Sequence, residues 1–146
     1  MPRVDFYVLP ENSSAERCAC TIANKAWQQG HSVYIHTSSR EAAATMDDLL
    51  WTFNDISFLP HVVTESDDTP AERVVIGWQH QVPGNYEVLV NLTTEIPSSA
   101  ERFARIMEIV AGDNRQRDHA RNRYRGYRER GYELHNHTLE SDHDLT

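Results

Sequence analysis

The sequence predicts a single α/β domain, Rossmann-like in the alternation of its elements, with a largely parallel sheet flanked by helices and no nucleotide-binding glycine loop. Three observations carry this expectation. Strand-like runs alternate with segments that open on a capping box. Two runs, VVI at 74–76 and VLVNL at 88–92, are apolar apart from Asn91, as in strands covered on both faces. A length of 146 residues is enough for one hydrophobic core without staples.

Residues 3–9 (RVDFYVL) have strand composition and end at the Pro10-Glu11-Asn12 turn. Ser13 and Glu16 form a capping box for a first helix, in which Ala19, Ile22, Ala23 and Ala26 share a face and Gly30 is the natural stop. Small residues on that face suit close packing on a sheet. Residues 32–37 (SVYIHT) alternate as a second strand. Ser38 and Glu41 repeat the capping box, and Ala43, Met46, Leu49 and Leu50 give the next apolar face. Residues 51–60 (WTFNDISFLP) read as irregular, and 64–72 (TESDDTPAE) as a polar acidic loop. The runs 74–76 and 88–92 are strands separated by the Pro83-Gly84-Asn85 turn. Ser98 with Glu101 reads as a third capping box, opening a helix with Phe103, Ile106, Met107 and Val110 on one face and Gly112 at its end. Asp113 and Gln116 cap a last helix that runs to about Arg130, before Gly131. The expected domain spans residues 3–138, and 139–146 (LESDHDLT) form a polar, disordered acidic tail.

Composition narrows the function classes. The opening residues are too polar for a signal peptide, and no stretch approaches the roughly 20 apolar residues that span a bilayer, so a cytoplasmic protein is expected. Cys18 and Cys20 lie about 200° apart on a helix, which suits reduced, buried thiols rather than a bridge or a metal pair. The first strand-to-helix turn has no glycine to admit a phosphate and no Walker sequence occurs, so no cofactor is expected. The eight histidines and the acids of 64–72 form no catalytic or metal-binding pattern, and His135 and His137 read as solvated residues beside the tail.

The net charge of −8 opposes a general grip on nucleic acid, but its distribution is uneven. Residues 115–130 hold seven arginines against Asp118 and Glu129, a net of +5, while the other 130 residues carry −13. Arg117, Arg121, Tyr124 and Arg128 follow helical spacing along one face, and Arg125 borders it. Three readings stay open: a solvated basic helix covering the sheet, a nucleic-acid patch, or a site for an acidic peptide ending in a hydrophobe and a free carboxylate. A local cationic patch in an acidic protein fits the local acidic ligand best. A second cluster, Trp51, Phe53, Phe58, Leu59 and Pro60, reads either as core or as an anchor for a partner protein.

The segments FYVL (6–9), LLWTF (49–53), SFLPH (57–61), VIGW (75–78), VLVNL (88–92) and RYRGYRERGYEL (123–134) resemble, in order and spacing, the chi subunits of bacterial DNA polymerase III. The likeness extends over nearly the whole chain. It implies a Rossmann-like protein with no nucleotide site and no catalysis of its own, serving as an accessory subunit of a nucleotidyltransferase holoenzyme. Its implied partners are the psi subunit, which connects it to the clamp loader, and the acidic, phenylalanine-terminated tail of the single-stranded-DNA-binding protein. The tail site would comprise Arg117, Arg121, Tyr124 and Arg125 with Arg128 nearby, over an apolar floor from Ile109 or Val110 at the end of the preceding helix. The psi surface would include Trp51, Phe58, Pro60 and His61. Direct binding of single strands, or an adaptor role for a repair helicase at the psi surface, are the alternatives. The acidic residues after Leu139 could compete for the arginine helix.

Overall fold

The computed structural model describes residues 2–10, 13–52, 60–64, 73–79, 82 and 84–139. Among the described residues there are seven strands: β1 (Arg3–Val8), β2 (Val33–His36), β3 (Val62–Val63), β4 (Val74–Gly77), β5 (Val88–Asn91), β6 (Arg105–Val110) and β7 (Glu133–Thr138). They form one sheet in the order β3-β4-β2-β5-β6-β1-β7, and every pairing is parallel. The helices are α1 (Ala15–Gln28), α2 (Arg40–Thr52) and α3 (Asn114–Glu129).

Period-two alternation divides the strand side chains between two cores. Val33, Ile35, Val74, Ile76, Val88, Val90, Met107 and Ile109 face one side, where α1 contributes Ala19, Ala23 and Ala26, and α2 contributes Ala43, Met46 and Leu50. Val4, Phe6, Tyr34, Val75, Leu89, Ile106 and Val110 face the other, where Ala120 and Tyr127 of α3 close the core. Covering both faces is what a parallel sheet requires, and it explains the apolar runs at β4 and β5.

The helix ends follow local chemistry, with small corrections to the expected caps. Ser14, not Ser13, caps α1: its hydroxyl accepts from the Arg17 amide at 3.2 Å. Ser39, not Ser38, accepts from Ala42 at 3.1 Å at the start of α2. Asp113 caps α3 as expected, accepting from the Gln116 amide at 2.8 Å. The two termini at Gly30 and Gly131 are alike. Each glycine takes a positive φ, 89° and 79°, and the amide after it bonds back to the carbonyl five residues earlier, His31 to Ala26 and Tyr132 to Tyr127.

The expected helix over 98–110 is not formed. Only a 3-10 turn at Ala100–Arg102 precedes β6, which lies inside the sheet between β5 and β1. Phe103, Ile106, Met107 and Val110 mimic a helical stripe, but Ile109 is apolar as well, so both sides of the segment are hydrophobic. Glu108 disguised this. It is fully buried on the α3 side, where it has partners of its own. The expectation for the histidines beside the tail is corrected too. His135 and His137 belong to β7, and His137 stacks on Tyr7 and reaches Asp5 at 2.9 Å. Leu139 is buried, and its amide donates to Val8 at 2.9 Å; residues 140–146 lie outside the described residues. Among the described residues no helix is long and apolar enough to cross a membrane.

Candidate functional site

The arginine helix is anchored by a buried polar network. Glu108, in the middle of β6, accepts from Arg123 Nε at 2.9 Å, from the Tyr127 hydroxyl at 2.6 Å and from Asn91 Nδ2 at 2.9 Å. Arg123 also donates to the Thr94 carbonyl at 3.2 Å. Burial pushes the Glu108 carboxyl up, and Arg123, Asn91 and Tyr127 pull it back toward the charged form. The arginine that looked like part of a basic patch is thus the bolt joining α3 to the sheet. The other six, Arg115, Arg117, Arg121, Arg125, Arg128 and Arg130, are exposed.

Beside α3 lies an open groove of about 420 Å³. Its helix wall is Arg117, Ala120, Arg121 and Tyr124. Its floor is Phe6 and Val8 of β1 with Val110 of β6, and its far rim is Asn136 and Thr138 of β7. Tyr124 is held against Phe6, with ring centroids 5.4 Å apart. Arg121 pairs with Asp118 at 2.7 Å on the exposed helix surface, a contact worth little in water. Cationic forks over an apolar floor suit a ligand with carboxylates beside a hydrophobe. The helix N-terminus at Asn114 adds its positive dipole end to the Arg117 side.

The groove unites three of the expected helix residues, Arg117, Arg121 and Tyr124, with Val110. Arg125 and Arg128 are exposed on α3 but do not line it. Val110 takes the floor from a strand rather than from a helix end, and Ile109 points into the opposite core. Phe6, Val8, Asn136 and Thr138 were missed. The alternation in RVDFYV marks Phe6 and Val8 as facing one side, but nothing local announces that β7 pairs with β1.

The second expected surface is partly described. Trp51, in the last turn of α2, is the exposed large hydrophobic residue among the described residues, at 53%. Its ring lies 4.4 Å from that of His61, which is buried and reaches Asp47 Oδ1 at 3.1 Å. Pro60 is half-buried beside them, and Phe53, Phe58 and Leu59 lie outside the described residues. This patch belongs to the α1–α2 side of the sheet, opposite the groove.

A crevice at the carboxyl ends of the strands, between the starts of α1 and α3, is where folds of this kind take nucleotides. Here it is lined by Ser13, Ser14, Glu16, Thr93 and Gln116 among others, and residues 10–16 contain no glycine. Among the described residues no group of three histidines, cysteines or acids is arranged to hold a metal ion.

Comparison with known proteins identifies the family. The family model "DNA polymerase III chi subunit, HolC" matches residues 1–135. The chain is 40% identical to DNA polymerase III subunit chi of Pseudomonas aeruginosa over 142 residues, covering 95% of this chain and 98% of the relative. It is 30% identical to the subunit of Haemophilus influenzae, with 88% and 92% covered, and 28% identical to that of Escherichia coli, with 92% and 96% covered. The crystal structure of T4 UvsW matches with a TM-score of 0.65 at 10% identity, covering 94% of this chain and 41% of that one, a likeness of fold. By sequence over nearly its full length, the chain belongs to the family of DNA polymerase III chi subunits, accessory proteins of DNA replication.

Proposed function

We propose that the chain is a non-catalytic, two-sided adaptor in the replicase. The groove beside α3 takes the acidic, phenylalanine-terminated tail of the single-stranded-DNA-binding protein, and the Trp51–His61 patch takes the psi subunit and through it the clamp loader. One observation carries the reading: Arg117 and Arg121 stand over a floor of Phe6, Val8 and Val110, with Tyr124 as a wall. The arginines meet the ligand's acids and terminal carboxylate, and the floor takes its phenyl ring. A charge-assisted contact at so exposed a site is worth about 1.5–3 kcal/mol at most, so binding is modest and salt-sensitive. Many tails on one coated strand restore occupancy through avidity.

The Trp51 side rests on exposure of a large aromatic, the residue type that most often anchors an interface. A repair helicase using the same patch would exclude psi, and pull-downs with both partners present distinguish sharing from exclusion.

Arg115, Arg125, Arg128 and Arg130 lie outside the groove and are exposed, which favours a second reading, direct binding of single-stranded nucleic acid. Competition separates the two. A labelled acidic peptide ending in phenylalanine is bound to the protein and challenged with unlabelled peptide or bare single-stranded DNA. The adaptor reading expects displacement by peptide alone; displacement by DNA at comparable concentration favours the nucleic-acid reading.

A further inference from the structure

The apolar floor of the groove is held from inside the core by a residue that does not line it. Phe6, on the floor, and Glu108, in the buried network, are register partners across β1 and β6 and face the same side of the sheet. Tyr127 touches both. Its hydroxyl donates to Glu108 Oε2 at 2.6 Å, and its ring meets that of Phe6 nearly edge-on, with centroids 6.1 Å apart and planes at 71°. Tyr124, three residues earlier on the same side of α3, meets Phe6 from the groove, with centroids 5.4 Å apart. Phe6 is therefore held between a ring of the groove wall and a ring that is fully buried. A phenyl group in place of Tyr127 would be fixed by packing alone. The tyrosine is pinned by a short charge-assisted bond to a carboxylate that Arg123 Nε and Asn91 Nδ2 hold in turn, each at 2.9 Å. Burial and the neighbouring carboxylate push the Tyr127 hydroxyl above its ordinary range, so it remains a donor.

We propose that Tyr127 is a positioning residue of the groove: locked by Glu108, it fixes Phe6 and, through Phe6, the tilt of Tyr124, so that wall and floor are set before a ligand's aromatic group enters. This rests on the reading of the groove as a site for an acidic peptide ending in phenylalanine. A wall set in advance spares the binding step the cost of ordering it.

The test uses the full chain. Tyr127→Phe keeps the ring and removes only the hydroxyl. Val74→Ala is the control: it opens the core on the other face of the sheet, on β4, which β2 and β5 separate from β6. Both variants are expected to lower the urea midpoint. The first readout needs no ligand: NMR cross-relaxation between the rings of Phe6 and Tyr124, expected to weaken in Tyr127→Phe and to stay unchanged in Val74→Ala. The second is the affinity for an acidic peptide ending in phenylalanine, expected to fall roughly threefold in Tyr127→Phe alone. An unchanged ring contact in Tyr127→Phe overturns the positioning role, as does an affinity that keeps the parent value or falls equally in Val74→Ala. If no chain binds the peptide, the parent included, the groove reading fails. A weakened ring contact then still assigns Tyr127 to positioning the wall, and an unchanged one sinks both.

Discussion

Arg123 and Arg125 lie two positions apart on α3 and serve opposite purposes. The first is inside, with Glu108, Tyr127 and Asn91 as neighbours; the second is in water. Removing Arg123 leaves a carboxylate buried beside two uncharged donors. Arg123→Ala is expected to lose about 3–5 kcal/mol of stability in urea denaturation, whereas Arg125→Ala stays within about 0.5 kcal/mol. Equal effects would contradict the anchoring role of Arg123. Asp5 is the other buried acid among the described residues, at the β1–β7 junction. Burial opposes its charge, but contacts from His137, Arg3 and Arg105 outweigh that and hold the carboxyl below the usual carboxylate range. A folded-state value below that of the unfolded chain means the proton binds the unfolded state more readily. The stabilisation is therefore complete above about pH 4 to 5 and disappears as pH falls through the folded value. Urea midpoints measured from pH 6 to 3 should fall less steeply for Asp5→Asn than for the parent chain.

At the scale of elements, the termini at Gly30 and Gly131 make a separate prediction. A side chain at φ 79° is strained in any surroundings, so Gly131→Ala is expected to cost about 1 kcal/mol and to loosen the α3–β7 turn. Urea denaturation reads the first, and hydrogen exchange at Tyr132 the second. These ends were legible in the sequence because their chemistry is local: a glycine after an amphipathic run, or Asp113 three residues before Gln116. The doubly covered strands were legible as well, since VVI and VLVNL carry no polar residue before Asn91. The strand β6 was not. Its buried polar residue, Glu108, reads as the outer face of a helix until its partners are known, and Arg123 and Tyr127 lie 15 and 19 residues away. The same distance effect hid half of the groove. Arg117, Arg121 and Tyr124 are one helix face and visible as spacing, whereas Asn136 and Thr138 reach it through the parallel pairing of β7 with β1, Phe6 with Asn136 and Val8 with Thr138, across 130 positions.

For the whole molecule, the two cores decide how the functions are separated. α1 and α2 cover one face of the sheet and present Trp51 at the end of α2; α3 covers the other and presents the arginines. In the adaptor proposed above, the two partners bind on opposite faces of the sheet. The acidic remainder of the chain repels a long polyanion while the arginines attract a short one. Affinity for the acidic peptide is expected to fall steeply between 50 and 300 mM salt, over which the screening length shortens from roughly 14 to 6 Å. Arg123 takes no part in that response, because its charge is already neutralised inside the domain.

Calorimetric titration with an acidic peptide ending in phenylalanine tests the adaptor account most directly, using the parent chain and the variants Arg121→Ala, Tyr124→Ala and Trp51→Ala. The account predicts one-to-one binding by the parent, a loss of at least about tenfold in the first two variants with circular dichroism unchanged, and no change in the third. Binding that survives both groove substitutions, or that is lost with Trp51, would contradict it.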